Sequence, residues 1–169
     1  MGPALREIAR RPIQEATMSQ QQIFQQITQE TLEEHREIHF YLDQIARTLD
    51  SLRSGLSDVE PMRRLAAQLE GLRERLAEHH QSEEEDGLFQ AIQAILPDCG
   101  VEIRRLVNQH QKLMEILEMA RIHAQHGDTM EADGLRVDLQ AFIEDFRQHE
   151  MEEDRLLRQA IEREANAPG

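Results

Sequence analysis

The strongest constraint on this chain is a stripe of apolar residues recurring in alternating steps of three and four, carried through four long segments that proline and glycine rarely interrupt. In the first segment it runs Phe24, Ile27, Thr31, His35, Ile38, Leu42, Ile45, Leu49 and Leu52, about eight helical turns. It stops at Ser54-Gly55, where glycine suits the left-handed end of a helix, and Ser57 or Asp58 stands ready to cap the next helix ahead of Glu60-Pro61. The second stripe passes through Leu65, Leu69, Leu72, Leu76, His80, Glu84, Leu88 and Ile92 and ends at Leu96-Pro97. Asp98 with Glu102 opens a third helix carrying Ile103, Leu106, His110, Leu113 and Leu117 as far as Gly127. The fourth, from about Thr129, carries Leu135, Leu139, Phe142, Phe146, His149, Glu153 and Leu156.

Short connections between long helices favour antiparallel neighbours, so the pattern predicts an all-α fold, an up-down-up-down antiparallel four-helix bundle over residues 21–165. Residues 1–20 fit the stripe less well. Leu5, Ile8 and Ile13 among Arg6, Arg10 and Arg11 read either as an N-terminal arm or as a short helix laid across the bundle.

Charge narrows the function. With 33 acidic against 19 basic residues the net charge is −14, and aromatics are 4% with no tryptophan. A nucleic-acid binder needs a positive field and stacking surfaces, and this chain offers neither. No apolar run reaches membrane-spanning length and no charged start leads into a signal-like apolar segment, which points to a soluble cytoplasmic protein without membrane attachment. Cys99 is the only cysteine, so an intrachain disulfide and a thiolate cluster are both excluded.

Eight histidines remain to be explained. At about 100° per residue, His35, His80, His110 and His149 fall on the four apolar stripes, one per helix. His39 lies close to the inward face, whereas His79, His123 and His126 are turned away and read as surface residues. Glu84 and Glu153 stand one turn beyond His80 and His149 on the same stripes. A carboxylate among Leu, Ile and Phe is costly unless paired or coordinated, and no Lys or Arg occupies an inward position nearby. Laying residues 80–92 on residues 149–161 pairs His80 with His149 and Glu84 with Glu153, so the chain reads as two helical hairpins. Each has one lone-His helix and one His-x-x-x-Glu helix. A metal site in the bundle core accounts for all six residues.

The arrangement resembles the hemerythrin-like (HHE cation-binding) family, of the bacterial single-domain type. The matching elements are Glu34-His35, His80-Gln-Ser-Glu-Glu84 with Leu88-Phe89, Gln109-His110 and His149-Glu-Met-Glu-Glu153. The resemblance implies a non-haem di-iron centre, oxo- or hydroxo-bridged, that binds or senses dioxygen or nitric oxide. Two departures stand out. Oxygen carriers of the family usually place two histidines a turn apart on the third helix, where this chain has Met114; here the pair His35 and His39 falls on the first helix. The fourth-helix carboxylate of the carriers is an Asp one residue further on, and here Glu153 matches best, with Asp154 beside it.

On this resemblance His35, His39 and His80 hold one iron, His110 and His149 the other, and Glu84 and Glu153 bridge them. His39 is then either a ligand or an imidazole that orients a bridging carboxylate. The alternatives are a di-iron oxidoreductase acting on peroxide or nitric oxide, and an iron-homeostasis or iron-sulfur repair protein, which Cys99 alone supports little. Nitrogen and oxygen ligands also suit Mn, Zn or Ni, and only the resemblance selects iron. The Glu-x-x-His spacing of ferritin-like oxidases is absent, because no histidine has an acidic residue three positions before it.

Overall fold

Ser19 starts the first helix by reciprocal capping: its hydroxyl accepts the Gln22 N–H at 3.2 Å, and the Gln22 side-chain oxygen accepts the Ser19 N–H at 2.9 Å. From there α1 (Gln20–Leu52) runs with its stripe of Phe24, Ile38, Leu42, Ile45 and Leu49 buried. α2 (Val59–Glu84), α3 (Leu88–Ile95), a short 3-10 turn (Pro97–Cys99), α4 (Gly100–His126) and α5 (Ala132–Ala165) follow. The computed structural model describes residues 19–52, 59–85, 87–126 and 132–166. Of the arm or short helix expected at residues 1–20, only Ser19 and Gln20 are described, and they begin α1; the rest of it, the Ser54-Gly55 stop, the Ser57 or Asp58 cap and the Gly127 stop lie outside the described residues. Among those described there is no strand, and no helix is long and apolar enough to cross a membrane.

The helix expected to continue to Ile95 is broken. α2 ends at Glu84, and the backbone turns through Gly87, whose φ of 125° is open to glycine and strained for other residues. The break lets Leu88, Phe89 and Ile92 of α3 turn inward, where α3 contacts α1, α2 and α5.

Cross-helix contacts fix the relative directions. Glu34 meets His79 and Glu37 meets Arg75. His110 meets Glu84, while Glu118 and Arg121 meet Arg73 and Glu70. His35 meets Glu153 and His39 meets Glu150. Glu115 and Met119 share a groove with Asp138 and Ala141, and His110 meets His149 further up α5. In each pair one helix ascends in number while the other descends. The contacts close a ring in the order α1, α2, α4, α5.

The core inside this ring is two clusters. One holds Ile38, Leu42, Leu72, Leu76, Leu113, Leu117, Phe142 and Phe146; the other holds Phe24, Leu88, Phe89, Ile92, Leu106, Leu156 and Leu157. Between them in number lie the buried polar residues Thr31, His35, His79, His80, Glu83, His110, His149, Glu150 and Glu153. A polar layer is thus clamped between two apolar ones.

Leu72 is fully buried in the cluster remote from α3. Leu72→Ala should cost about 2–5 kcal/mol in denaturant unfolding, the usual result of emptying a packed leucine site. Gly87→Ala meets only Ile27 at 3.7 Å, so its cost is backbone strain of about 1–3 kcal/mol. An unchanged unfolding midpoint for either variant would contradict these assignments.

Candidate metal centre

The second helix supplies more to the centre than its stripe suggests. From Leu76, three and four residues on are His79 and His80, which at about 100° per residue fall on opposite flanks of the inward face. Seven on is Glu83, within about 20° of Leu76, while Glu84 is about 80° away. The structure follows this phase: His79 and Glu83 are both 0% exposed, and Glu84 keeps 34% of its side chain in solvent.

Two groups of side chains converge. His80, His110 and His149 bring one ring nitrogen each within 4.8 Å of one another, as do His35, His79, Glu83 and Glu153 with one atom each. The carboxylates link the groups. Glu83 Oε1 lies 3.0 Å from His79 Nε2 and 3.9 Å from His35 Nε2, while its Oε2 lies 3.2 Å from His110 Nε2. Glu153 Oε2 lies 3.5 Å from His35 Nε2 and 3.8 Å from His149 Nε2. Each carboxylate therefore stands between a nitrogen of one group and a nitrogen of the other.

Hydrogen bonds on the far side of the rings decide which nitrogens carry protons. His79 Nδ1 lies 3.0 Å from Glu34 Oε2, and His110 Nδ1 lies 2.7 Å from Glu84 Oε1. Ionised carboxylates only accept, so both Nδ1 atoms donate. Gln109 gives its amide N–H to Glu152 at 3.2 Å, which turns its carbonyl oxygen toward His149 Nδ1 at 3.0 Å. Arg105 holds Glu152 from outside at 2.9 Å. In a neutral ring whose Nδ1 donates, Nε2 is a lone pair. The Nε2 atoms of His110 and His149 then face each other at 3.1 Å, and His79 Nε2 faces a carboxylate oxygen at 3.0 Å. The His110–His149 contact is repulsive unless a cation stands between the two nitrogens.

Orphaned polar atoms mark the same place. The Nε2 atoms of His35, His79 and His80 and both oxygens of Glu83 and Glu153 are buried without a hydrogen-bond partner among the described residues. Such atoms are rare in folded proteins and each is costly. A cation with imidazole and carboxylate ligands satisfies all of them, so the residues fit a metal.

The charge states of the metal-free centre reflect this crowding. Burial lowers the His110 pKa to about 4 and that of His149 to about 3, with neighbouring imidazoles adding to the effect and the Glu153 charge opposing it. Burial also pushes His80 down. Burial opposes charge on His35 too, but Glu153 and Glu83 outweigh it and raise the ring to about 10. Burial and the Glu153 charge push Glu83 up, whereas Glu153, despite its burial, is held well below the usual carboxylate range by His35. In the metal-free centre the His35 ring is the main group holding the Glu153 carboxylate in its charged form.

The expected residues are placed as follows. His35, His80, His110, His149 and Glu153 are buried and converge. Glu84 does not: it stands outside and holds His110 from behind, and Glu83 occupies the inward position. His39 also stands outside, 46% exposed, with Nε2 at 2.9 Å from Glu150 Oε2. His79, read as a surface residue, is buried in the centre; His126 is exposed and His123 partly so. The misreading came from carrying the helical phase back from Leu88 across the break at Gly87. Counting forward from Leu76 would have found His79 and Glu83.

Metal-free protein should lose stability as pH falls from 6.5 toward 5. Unfolding lets His80, His110 and His149 take up protons there that the fold denies them, and these three strongly shifted imidazoles outweigh the carboxyls of Glu83, Glu84 and Glu150, whose hold on a proton the fold raises. The His35 contribution has the other sign, present in full below 6.5 and lost as pH rises through about 10. Thermal midpoints across pH 5–10 check both arms, and a flat profile below 6.5 would contradict the neutral-ring assignment.

Searches among curated proteins and solved structures find no match to this chain. Among protein families, the hemerythrin HHE cation-binding domain matches residues 21–161, which span α1 to α5 and every residue of the centre. By that match the chain belongs to the hemerythrin HHE cation-binding domain family.

Proposed function

We propose that this protein holds two iron ions in the core of an up-down-up-down bundle and binds or senses dioxygen or nitric oxide there. His80, His110 and His149 would hold one ion and His35 and His79 the other, with Glu83 and Glu153 shared between them. The observation that carries this reading is the opposed Nε2 lone pairs of His110 and His149 at 3.1 Å, fixed by Glu84 and Gln109 behind them. The allocation also resolves the missing third-helix histidine. His80, stacked on His110 with centroids 3.8 Å apart, supplies the third imidazole that Met114 cannot. The two-imidazole side, on the first hairpin, is then the less saturated.

Bound iron would supply reversible electron transfer to a diatomic ligand, which nitrogen and oxygen ligands alone do not. The protein's part is to hold the rings in one tautomer and to exclude bulk water with the apolar clusters above and below. Glu34, Glu84 and Gln109 act through the rings they hold.

A second reading, reduction of peroxide or nitric oxide, is favoured by one feature. Exposed His39 contacts Glu150 at 2.9 Å, and Glu150 Oε1 lies 3.7 Å from His35 Nδ1, a polar link from solvent to the centre. Reversible change of the absorption spectrum on cycling between air and argon supports the binding reading; irreversible change with peroxide consumption supports the enzyme.

Anaerobically purified protein should contain about two irons per chain, and zinc in their place would overturn the di-iron reading. Glu83→Gln and His80→Leu should lower bound metal by tenfold or more in apparent affinity, whereas His39→Leu should leave metal content and spectra unchanged. Glu84→Gln should weaken binding by about ten- to a hundredfold at most, as loss of a group behind a ligand does. Equal retention by Glu83→Gln and wild type would return the shared role to Glu84.

A further inference from the structure

Two grooves reach the centre from opposite sides of the helix ring, and they differ in charge. The α1/α5 groove, about 510 Å³, is lined by His35, His39, Glu150 and Asp154 together with Arg36 and Arg147. Neither arginine has a carboxylate within 4.0 Å among the described residues. The α2/α4 groove, about 530 Å³, contains His80, His110, Glu84 and Glu85, and no Lys or Arg lines it. An approaching cation therefore meets two guanidinium groups beside two carboxylates on one side, and two carboxylates with no cationic Lys or Arg on the other.

The acidic side also has a reason to receive a metal. His80 is 6% exposed, lines this groove, and has no hydrogen bond to its ring among the described residues; its Nε2 is one of the orphaned buried atoms. Glu85 is exposed, and Glu84 is partly exposed with one oxygen already on His110 Nδ1. Glu85, Glu84 and His80 form a graded path from solvent to the three-imidazole group. Val107 and Met114 give the groove apolar walls, which concentrate the field of the carboxylates.

We propose that the α2/α4 groove is the loading site for the metal: Glu85 and Glu84 attract a hydrated divalent cation, and His80 is the first core nitrogen to take hold of it. The inference rests on the metal-centre reading above and adds the direction of uptake. Hard oxygen ligands exchange water on a divalent ion without needing a fixed geometry, so carboxylates suit the outer stage. His80 suits the inner one, because no hydrogen bond to another described residue needs to break before it binds.

The test is the rate at which metal-free protein takes Zn²⁺ or Co²⁺ from a chromophoric indicator, followed by stopped flow at low and high salt. Glu85→Gln and Gln111→Lys alter the groove without touching a core ligand, and Arg147→Gln alters the opposite one. At low ionic strength Glu85→Gln should slow uptake about twofold and Gln111→Lys about fivefold; both effects should shrink toward none at about 0.5 M salt, where such fields are screened. Final stoichiometry should equal wild type in both, and Arg147→Gln should load at the wild-type rate. Full uptake at unaltered rates in both groove variants, or acceleration by Arg147→Gln, overturns the loading route and leaves the metal centre standing. No equilibrium uptake of either metal by the wild-type chain overturns both.

Discussion

The structure turns on one unfavourable arrangement: imidazole lone pairs and carboxylate oxygens packed together in a layer with too few protons to reconcile them. His110 and His149 face each other, and Glu83 and Glu153 lie among four imidazoles with both oxygens of each orphaned. In a layer between two apolar clusters, water is not freely available to soften this. A chain with no functional need for the layer would gain by replacing it with Leu and Phe, as the turns on either side already do. The arrangement is sensible only as a preformed cation site, and a cation there would become part of the folding free energy.

That layer is held from outside. Glu34 fixes His79, Glu84 fixes His110, and the run Arg105, Glu152, Gln109 fixes His149. Each of these contacts crosses between helices, α1 to α2, α2 to α4, and α4 to α5. The hydrogen bonds that set ring tautomers therefore also set helix register, and the strength of the bundle and the geometry of the centre are coupled. The break at Gly87 belongs to the same design: it ends α2 immediately after its contribution to the layer and lets α3 contribute apolar residues below it.

The acidic excess divides into different physical roles. Arg73, Arg75 and Arg121 share surface ion pairs with Glu70, Glu37 and Glu118, contacts of small individual worth. Glu34 and Glu84 orient rings, and Glu83 and Glu153 sit at the centre. The α2/α4 groove, free of Lys and Arg in its lining, gives the remaining asymmetry a purpose in cation traffic.

Much of this was legible in the residues. Alternating steps of three and four from Phe24 to Leu52 dictate helix whatever the tertiary context, because burial of one face is the only way to remove those side chains from water. The same periodicity placed His35, His110, His149 and Glu153 inward, each embedded in an unbroken stripe. The second helix was ambiguous. Both His79 and His80 lie within a step of three or four from Leu76, and Glu83 and Glu84 follow in the same tandem. A wheel phased on Leu76 favours Glu83 and one phased on Leu88 favours Glu84, and spacing alone does not say which phase holds through the last turn. Only the tertiary structure decided, by ending α2 before Gly87 and packing its final turn so that His79 and His80 serve opposite sides of the layer, Glu83 lies between them and Glu84 turns to the neighbouring helix. The sequence by itself determined that this chain would bury histidines and carboxylates in a helical core, since spacing is a local property; which carboxylate stands at the centre depends on where helices end and how they pack, which no local spacing contains.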